Sequence, residues 1–237
     1  MADKIGCIKV ACGIADSIFS DLVKCIYSFR TESDIDRFIR KQARLNKVNI
    51  AFSPIVASGR NAANPHHKPT KAKLKGFVVV DFGVKFNGYC SDMTRMLFFG
   101  KPSAYDLKVY DLLLGVQEKS VKDLKIGGKY YHLDKNARTR LGKYKKFFIH
   151  SLGHGVGKKV HEKPIIASVF KKKTLTPKRL KRIEKIKNAK IGVGDVITIE
   201  PGIYVKKRFG LRIEDTVLIR KDDAEVLTKS QKYLVIV

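Results

Sequence analysis

The sequence predicts an α+β fold in which helices cover a mostly antiparallel sheet. Three observations lead there. Helical and strand periodicities alternate in two rounds along the 237 residues, without the regular strand–helix–strand units of a parallel sheet. Each round ends in a hairpin rich in β-branched and aromatic residues. Each hairpin carries two acids where a sheet would normally bury valine: Asp81 and Asp92 in the first, Glu200 and Glu214 in the second. The layout is a faint internal repeat.

Residues 5–28 place Ile5, Ile8, Cys12, Ala15, Phe19, Leu22 and Ile26 at helical spacing, which predicts one amphipathic helix. "TESDIDRFIRKQA" opens a second helix with Thr31 and Asp34 as a capping pair. "VNIAFSPIVASG" and "GFVVVDFG" read as strands joined by the loop "RNAANPHHKPTKAKLK", and "TRMLFF" returns from the hairpin turn. A third helix starts at Ser103 and is stopped by Gly127 and Gly128, and "YHLDKNARTRLGKY" is a fourth. "GVGDVITIEPGIYV" and "GLRIEDTVLIR" form the second hairpin, with "AEVLT" and "YLVIV" as closing strands. Residues 170–190 carry ten basic side chains and one acid. There Thr176-Pro177 signals the start of a short basic helix or solvated excursion.

A chain of this length can bury a substantial core in one large domain or two small ones. No stretch approaches the run of about 18 apolar residues that a membrane span needs. The N-terminal segment is interrupted by Asp3, Lys4, Lys9 and Asp16, so it has no signal-peptide core. Cys7, Cys12, Cys25 and Cys90 form no CxxC pair, which suits reduced thiols and a cytoplasmic location. The net charge is +27. A nucleic-acid partner would explain it through counterion release. The excess, however, is 36 lysines against 13 arginines spread over the whole chain, with no aromatic-basic module, which favours a compositional bias.

The acids repay closer geometry. Asn87-Gly88 is a strong two-residue turn signal. Pairing outward sets Phe86 against Tyr89 and Gly83 against Asp92. Asp81 then shares a face with Asp92, at a diagonal separation of about 7–8 Å. A turn centred on Lys207 sets Glu200 directly against Glu214. Carboxylates buried among β-branched residues need a cation, and four of them favour a metal over a lysine. "FIHSLGHGVGKKVHEKP" adds His150, His154 and His161, half of the six histidines, with glycines on both sides of His154.

"DFGVKFNGYCSDMTRM", "HSLGHGVGKKVHEKP", "ITIEPGIYV" and "LRIEDTVLI" closely resemble the metal-site motifs of the pita-bread metallopeptidases, the family of methionine aminopeptidases, Xaa-Pro aminopeptidases and prolidases. "SPIVASGRNAANPHHKPT" is similar to that family's upstream histidine segment, so the ordered match covers nearly the whole chain. The resemblance implies a pseudo-two-fold, curved, mostly antiparallel sheet covered by helices. It also implies two divalent ions, with Mn, Co or Fe suited to an oxygen-rich site bearing one imidazole and Zn possible. Asp81 would hold one ion, His154 and Glu200 the other, and Asp92 and Glu214 both. Glu200 would double as proton shuttle, His161 would stabilise the tetrahedral intermediate, and His66, rather than the adjacent His67, would hydrogen-bond the substrate backbone. His150, Tyr204 and Arg212 would form the outer shell. The expectation is a single catalytic domain over 1–237 with a basic insertion at about 168–190, without the N-terminal domain usual in the Xaa-Pro branch.

Within the family, the 14-residue spacing of Glu200 and Glu214, His150 four residues before His154, and the wording "SPIVASG" to "NPHH" resemble the Xaa-Pro branch. A compact catalytic domain is instead the size of a methionine aminopeptidase. A third reading, a metal-free basic module that binds peptide, RNA or ribosomes, fits the charge but leaves five convergent ligands without a purpose. The implied partner is a peptide or dipeptide, with no membrane and a monomer or homodimer as assembly.

Overall fold

The computed structural model describes residues 3–170 and 176–237. Helix α1 (Lys4–Lys24) starts at Asp3, whose carboxylate accepts from the amides of Ile5 and Gly6. It stops short of the predicted residue 28. Ile26–Ser28 tightens into a 3₁₀ turn in which the Ser28 amide and hydroxyl both bond the Cys25 carbonyl. Helix α2 (Glu32–Leu45) opens with the expected reciprocal Thr31–Asp34 box, and α3 (Ala104–Lys122) with an equivalent Ser103–Asp106 box. Helix α3 ends before the glycine pair, where the Asp123 amide closes on the carbonyls of Lys119 and Val121. Helix α4 (Tyr130–Arg140) gives way to a 3₁₀ segment at Gly142–Phe147, because Gly142 turns left-handed at φ 54°. In the basic segment, α5 (Pro177–Asn188) is capped by the Thr176 side chain as predicted; residues 171–175 lie outside the described residues.

The strands follow as β1 (Asn49–Ile50), β2 (Ile55–Ser58), β3 (Gly76–Phe82), β4 (Val84–Phe86), β5 (Tyr89–Cys90) and β6 (Met93–Phe99) in the first half. The second half holds β7 (Gly153–Gly155), β8 (Glu162–Ile166), β9 (Val196–Ile199), β10 (Gly202–Val205), β11 (Phe209–Arg212), β12 (Asp215–Ile219), β13 (Ala224–Val226) and β14 (Val235–Ile236). One sheet runs β14-β6-β3-β2 and the other β13-β12-β9-β7-β8, with β1-β4-β5 and β10-β11 as extensions. A backbone bridge between Thr94 and Glu214 joins the two hairpins.

Both hairpins hold the predicted register. Phe86 faces Tyr89 at the first tip and Asp81 faces Thr94 at its base, so no residue is inserted between them and Gly83 lies across from Asp92. Asn87 and Gly88 take φ of 46° and 85°, the left-handed pair that a two-residue turn requires. In the second hairpin Val205 faces Phe209 about Lys207 (φ 62°), and Ile199 faces Asp215 further down, which leaves Glu200 opposite Glu214.

Alternation then decides which face each acid occupies. Val78, Val80 and Phe82 pack with Met93 and Leu97 under α1 and α2. Phe77 and Val79 point the other way with Met96 and Phe98, toward the core shared with α3 and α4. Asp81 and Asp92 fall on this second face. In the other hairpin Ile197, Ile199, Ile213 and Val217 fill that core, while Thr198, Glu200, Glu214 and Thr216 take the opposite parity. Strands β7 and β8 did not show in the sequence pattern, and β14 pairs parallel to β6, an exception in an otherwise antiparallel arrangement.

Candidate metal centre

The two hairpins and β7 meet at a cleft of about 530 Å³. Its lining brings together Asp81, Asp92, His150, His154, His161, Glu200, Arg212, Glu214 and the segment Pro65, His66, His67 and Lys68. Of the predicted site residues, Tyr204 alone is set back from this lining, buried behind Arg212. Asp81, Asp92, His154 and Glu214 are between 2% and 6% exposed.

Asp92, His154 and Glu214 present ligand atoms within 4.8 Å of one another. His154 Nε2 lies 3.6 Å from Asp92 Oδ2 and 3.4 Å from Glu200 Oε1. The other ring nitrogen, Nδ1, faces the Gly155 carbonyl at 3.1 Å, so it carries the proton and leaves the Nε2 lone pair pointing among the acids. Glycines on both sides make this strand path possible. A Cβ on Gly153 would lie 1.9 Å from the Thr198 carbonyl oxygen, and one on Gly155 would lie 2.1 Å from that of Lys163.

Asp81 sits at the other side of the cluster. Its Oδ2 accepts from Arg212 Nη2 at 2.5 Å. Arg212 also donates from Nε to Thr94 Oγ1 (3.0 Å) and from Nη1 to the Tyr204 hydroxyl (2.7 Å). Thr94 donates its own hydroxyl proton to Glu214 Oε2 at 2.7 Å. The Tyr204 hydroxyl lies 2.9 Å from His150 Nε2, while His150 Nδ1 faces the Ser151 carbonyl at 2.8 Å. Tyr204 therefore donates to His150 and accepts from Arg212.

The electrostatics show what is lacking. Burial raises Asp81 above the usual carboxylate range against the pull of Arg212, while burial reinforced by the neighbouring acids raises Asp92 and Glu200 and pushes Glu214 up to about 8. Burial also lowers His150 to about 3 and His154 to about 4, so neither imidazole brings charge at neutral pH. Arg212 is then the cation that reaches the four acids, through its pair with Asp81. Asp81 Oδ1 is buried without a hydrogen-bond partner among the described residues. Four carboxylates and one neutral imidazole, with an oxygen left unpaired, fit hard divalent cations and not a thiolate zinc site.

Sequence reasoning did not find Thr94, Arg95 or Glu32. Thr94 lies two residues after Asp92 on the same face, a signal that was available. Arg95 is 1% exposed behind Glu214, donating to the carbonyls of Thr94 and Glu214 and pairing with Asp215 at 2.7 Å. A lone arginine inside the apolar strand "MTRMLFF" was its signal. His67, weighed against His66, also lines the cleft but commits its Nε2 to Glu32 at 2.8 Å.

Comparison with known proteins decides the family, because the model of metallopeptidase family M24 matches residues 6–221. The chain belongs to metallopeptidase family M24. The pita-bread fold comes with that membership. This M24 chain is 35% identical to a Xaa-Pro dipeptidase of Pyrococcus furiosus over 237 residues, 98% of the chain and 63% of that relative. It superposes on an X-Pro aminopeptidase of Thermotoga maritima with a TM-score of 0.87 at 33% identity, over 99% of this chain and 63% of that one. A prolidase from Thermococcus sibiricus gives 0.88 at 34% identity, over 100% and 62%. The M24 chain thus spans a little under two thirds of the length of these relatives. No helix among its described residues is long and apolar enough to cross a membrane.

Proposed function

We propose that this chain is a metal-dependent exopeptidase that releases the N-terminal residue from peptides with proline in second position, as an aminopeptidase or a dipeptidase. The observation that carries the reading is the gathering of Asp81, Asp92, His154, Glu200 and Glu214 around one cleft, with Asp81 Oδ1 unpaired. Asp81 would hold one divalent ion, His154 and Glu200 a second, and Asp92 and Glu214 both. Such ions, when bound, supply Lewis-acid polarisation of the scissile carbonyl and activation of water near neutral pH.

The protein's own groups do the rest. Glu200 accepts a proton from water and returns it to the leaving amine nitrogen. Thr198 Oγ1, 3.5 Å from Glu200 Oε1, helps keep that carboxylate turned toward His154. His161 stands exposed at the cleft, yet the desolvation it feels there holds it below the usual imidazole range, so it stays neutral and can donate an N–H to the developing oxyanion. His66 donates to the substrate backbone. Arg212, braced by Tyr204 and His150, fixes Asp81.

Cleavage before proline is supported by the short turn at Lys207, by His150 engaged with Tyr204, and by the names of the relatives above. The test is hydrolysis of a matched panel with Mn²⁺ or Co²⁺: a Xaa-Pro dipeptide, a Xaa-Pro peptide and a Met-Ala peptide. Preference for the Met-Ala peptide would move the chain to methionine aminopeptidase chemistry. Binding without turnover of any member would leave the non-catalytic reading.

A further inference from the structure

Glu32 occupies the first turn of α2, where an acid ordinarily serves the helix dipole at the surface. Here it is fully buried, and its five side-chain hydrogen bonds all leave the helix for residues 58–70. Oε1 accepts from the Ser58 amide (2.8 Å) and Asn61 Nδ2 (2.9 Å), at the near end of that loop. Oε2 accepts from His67 Nε2 (2.8 Å), the Thr70 amide (2.9 Å) and Thr70 Oγ1 (2.7 Å), at the far end. The span between the two anchor sets carries Pro65 and His66 into the cleft lining.

We infer that Glu32 is a positioning residue, a two-ended clamp whose oxygens fix opposite ends of the loop and so set where the His66 imidazole meets the substrate. The inference rests on the reading above, in which His66 contacts the substrate backbone. An ionised carboxylate suits this role. Hydrogen bonds from Asn61, His67, Ser58 and Thr70 overcome the upward push of burial and hold the Glu32 pKa below the usual range, so it is an acceptor at both oxygens. A glutamine of the same shape keeps one acceptor oxygen and turns an NH₂ toward donors, so one end of the loop loses its anchor. The complementary observation is His67. Its commitment to Glu32 explains why two adjacent histidines on one loop have different surroundings.

The experiment is a double-mutant cycle on the Mn²⁺-loaded enzyme with its fastest Xaa-Pro substrate, with metal content and loop dynamics measured alongside. Glu32→Gln should lower kcat/KM by about 10- to 100-fold, the scale of a misplacement near 1 Å, while leaving bound metal unchanged. In a His66→Ala background the same substitution should cost almost nothing further. Amide hydrogen exchange over residues 58–70 should rise in Glu32→Gln. An equal fold-loss in both backgrounds, a loss of metal, or unchanged exchange overturns the clamp. If the wild type hydrolyses no Xaa-Pro substrate, the functional reading fails and the exchange measurement alone judges the clamp. Thr70→Val, which removes one donor to Oε2 together with the acceptor of the Ala72 amide, should show the same pattern at smaller size and serves if Glu32→Gln does not fold.

Discussion

Gly153→Ala isolates how much of the candidate centre depends on strand spacing. The added Cβ would stand 1.9 Å from the Thr198 carbonyl oxygen, where ordinary contact begins at 3.4 Å, so β7 and β9 must separate by about 1.5 Å. Thr198 is also the residue whose hydroxyl accepts from the His154 amide at 3.1 Å and reaches Glu200. The strain therefore falls between two proposed ligands whose atoms are 3.4 Å apart, while metal sites tolerate displacements of only about 0.2 Å. Overpacking should cost about 1–3 kcal/mol of stability. Metal affinity should fall at least about 10- to 100-fold, the range typical of lost outer-shell support. Calorimetric Mn²⁺ titration with parallel urea unfolding measures both. Gly115→Ala is the control, since that glycine is exposed within α3 and a Cβ there meets nothing within 4 Å. It should raise stability by up to about 1 kcal/mol. Wild-type metal affinity in Gly153→Ala would refute the argument that β7–β9 spacing sets the centre.

His154→Ala should lose bound metal, whereas His161→Ala should retain it and lose mainly kcat, read by metal analysis beside steady-state kinetics. Arg95→Met should destabilise by about 3–5 kcal/mol in urea unfolding, because it leaves the fully buried Asp215 with Lys232 as its remaining cation at 2.9 Å. The depressed pKa of Glu32 gives stability that is fully present above its unfolded value of about 4.3 and lost as pH falls through its lower folded value. Stability of the wild type should therefore drop more steeply below about pH 4 than that of Glu32→Gln, measured by urea unfolding across about pH 2–6.

The hairpins were legible because local turn chemistry sets register. Asn87-Gly88 accepts two left-handed residues and Lys207 one, and period-two alternation carries that register down to the acids. Capping boxes at Thr31 and Ser103 are equally local. Strands β7 and β8 were not legible, since three residues centred on His154 carry no alternation and their pairing shifts between His154 and Gly155. Glu32 was opaque for a different reason. In sequence it is a helix-start acid, and only tertiary packing reveals that its partners lie 26 to 38 residues away.

The bridge between Thr94 and Glu214 has a thermodynamic consequence. Asp81 and Asp92 belong to one half of the chain and His154, Glu200 and Glu214 to the other, so ions held by all five would bind only when the halves are joined. Such ions act as ligands of the folded state, and mass action then ties heat tolerance to their free concentration. At about 100 times the dissociation constant the gain is about 2.7 kcal/mol, and it vanishes when the ions are chelated. The melting temperature would thus report the metal supply around the protein, and the seam between the hairpins would be the first place to open when that supply fails.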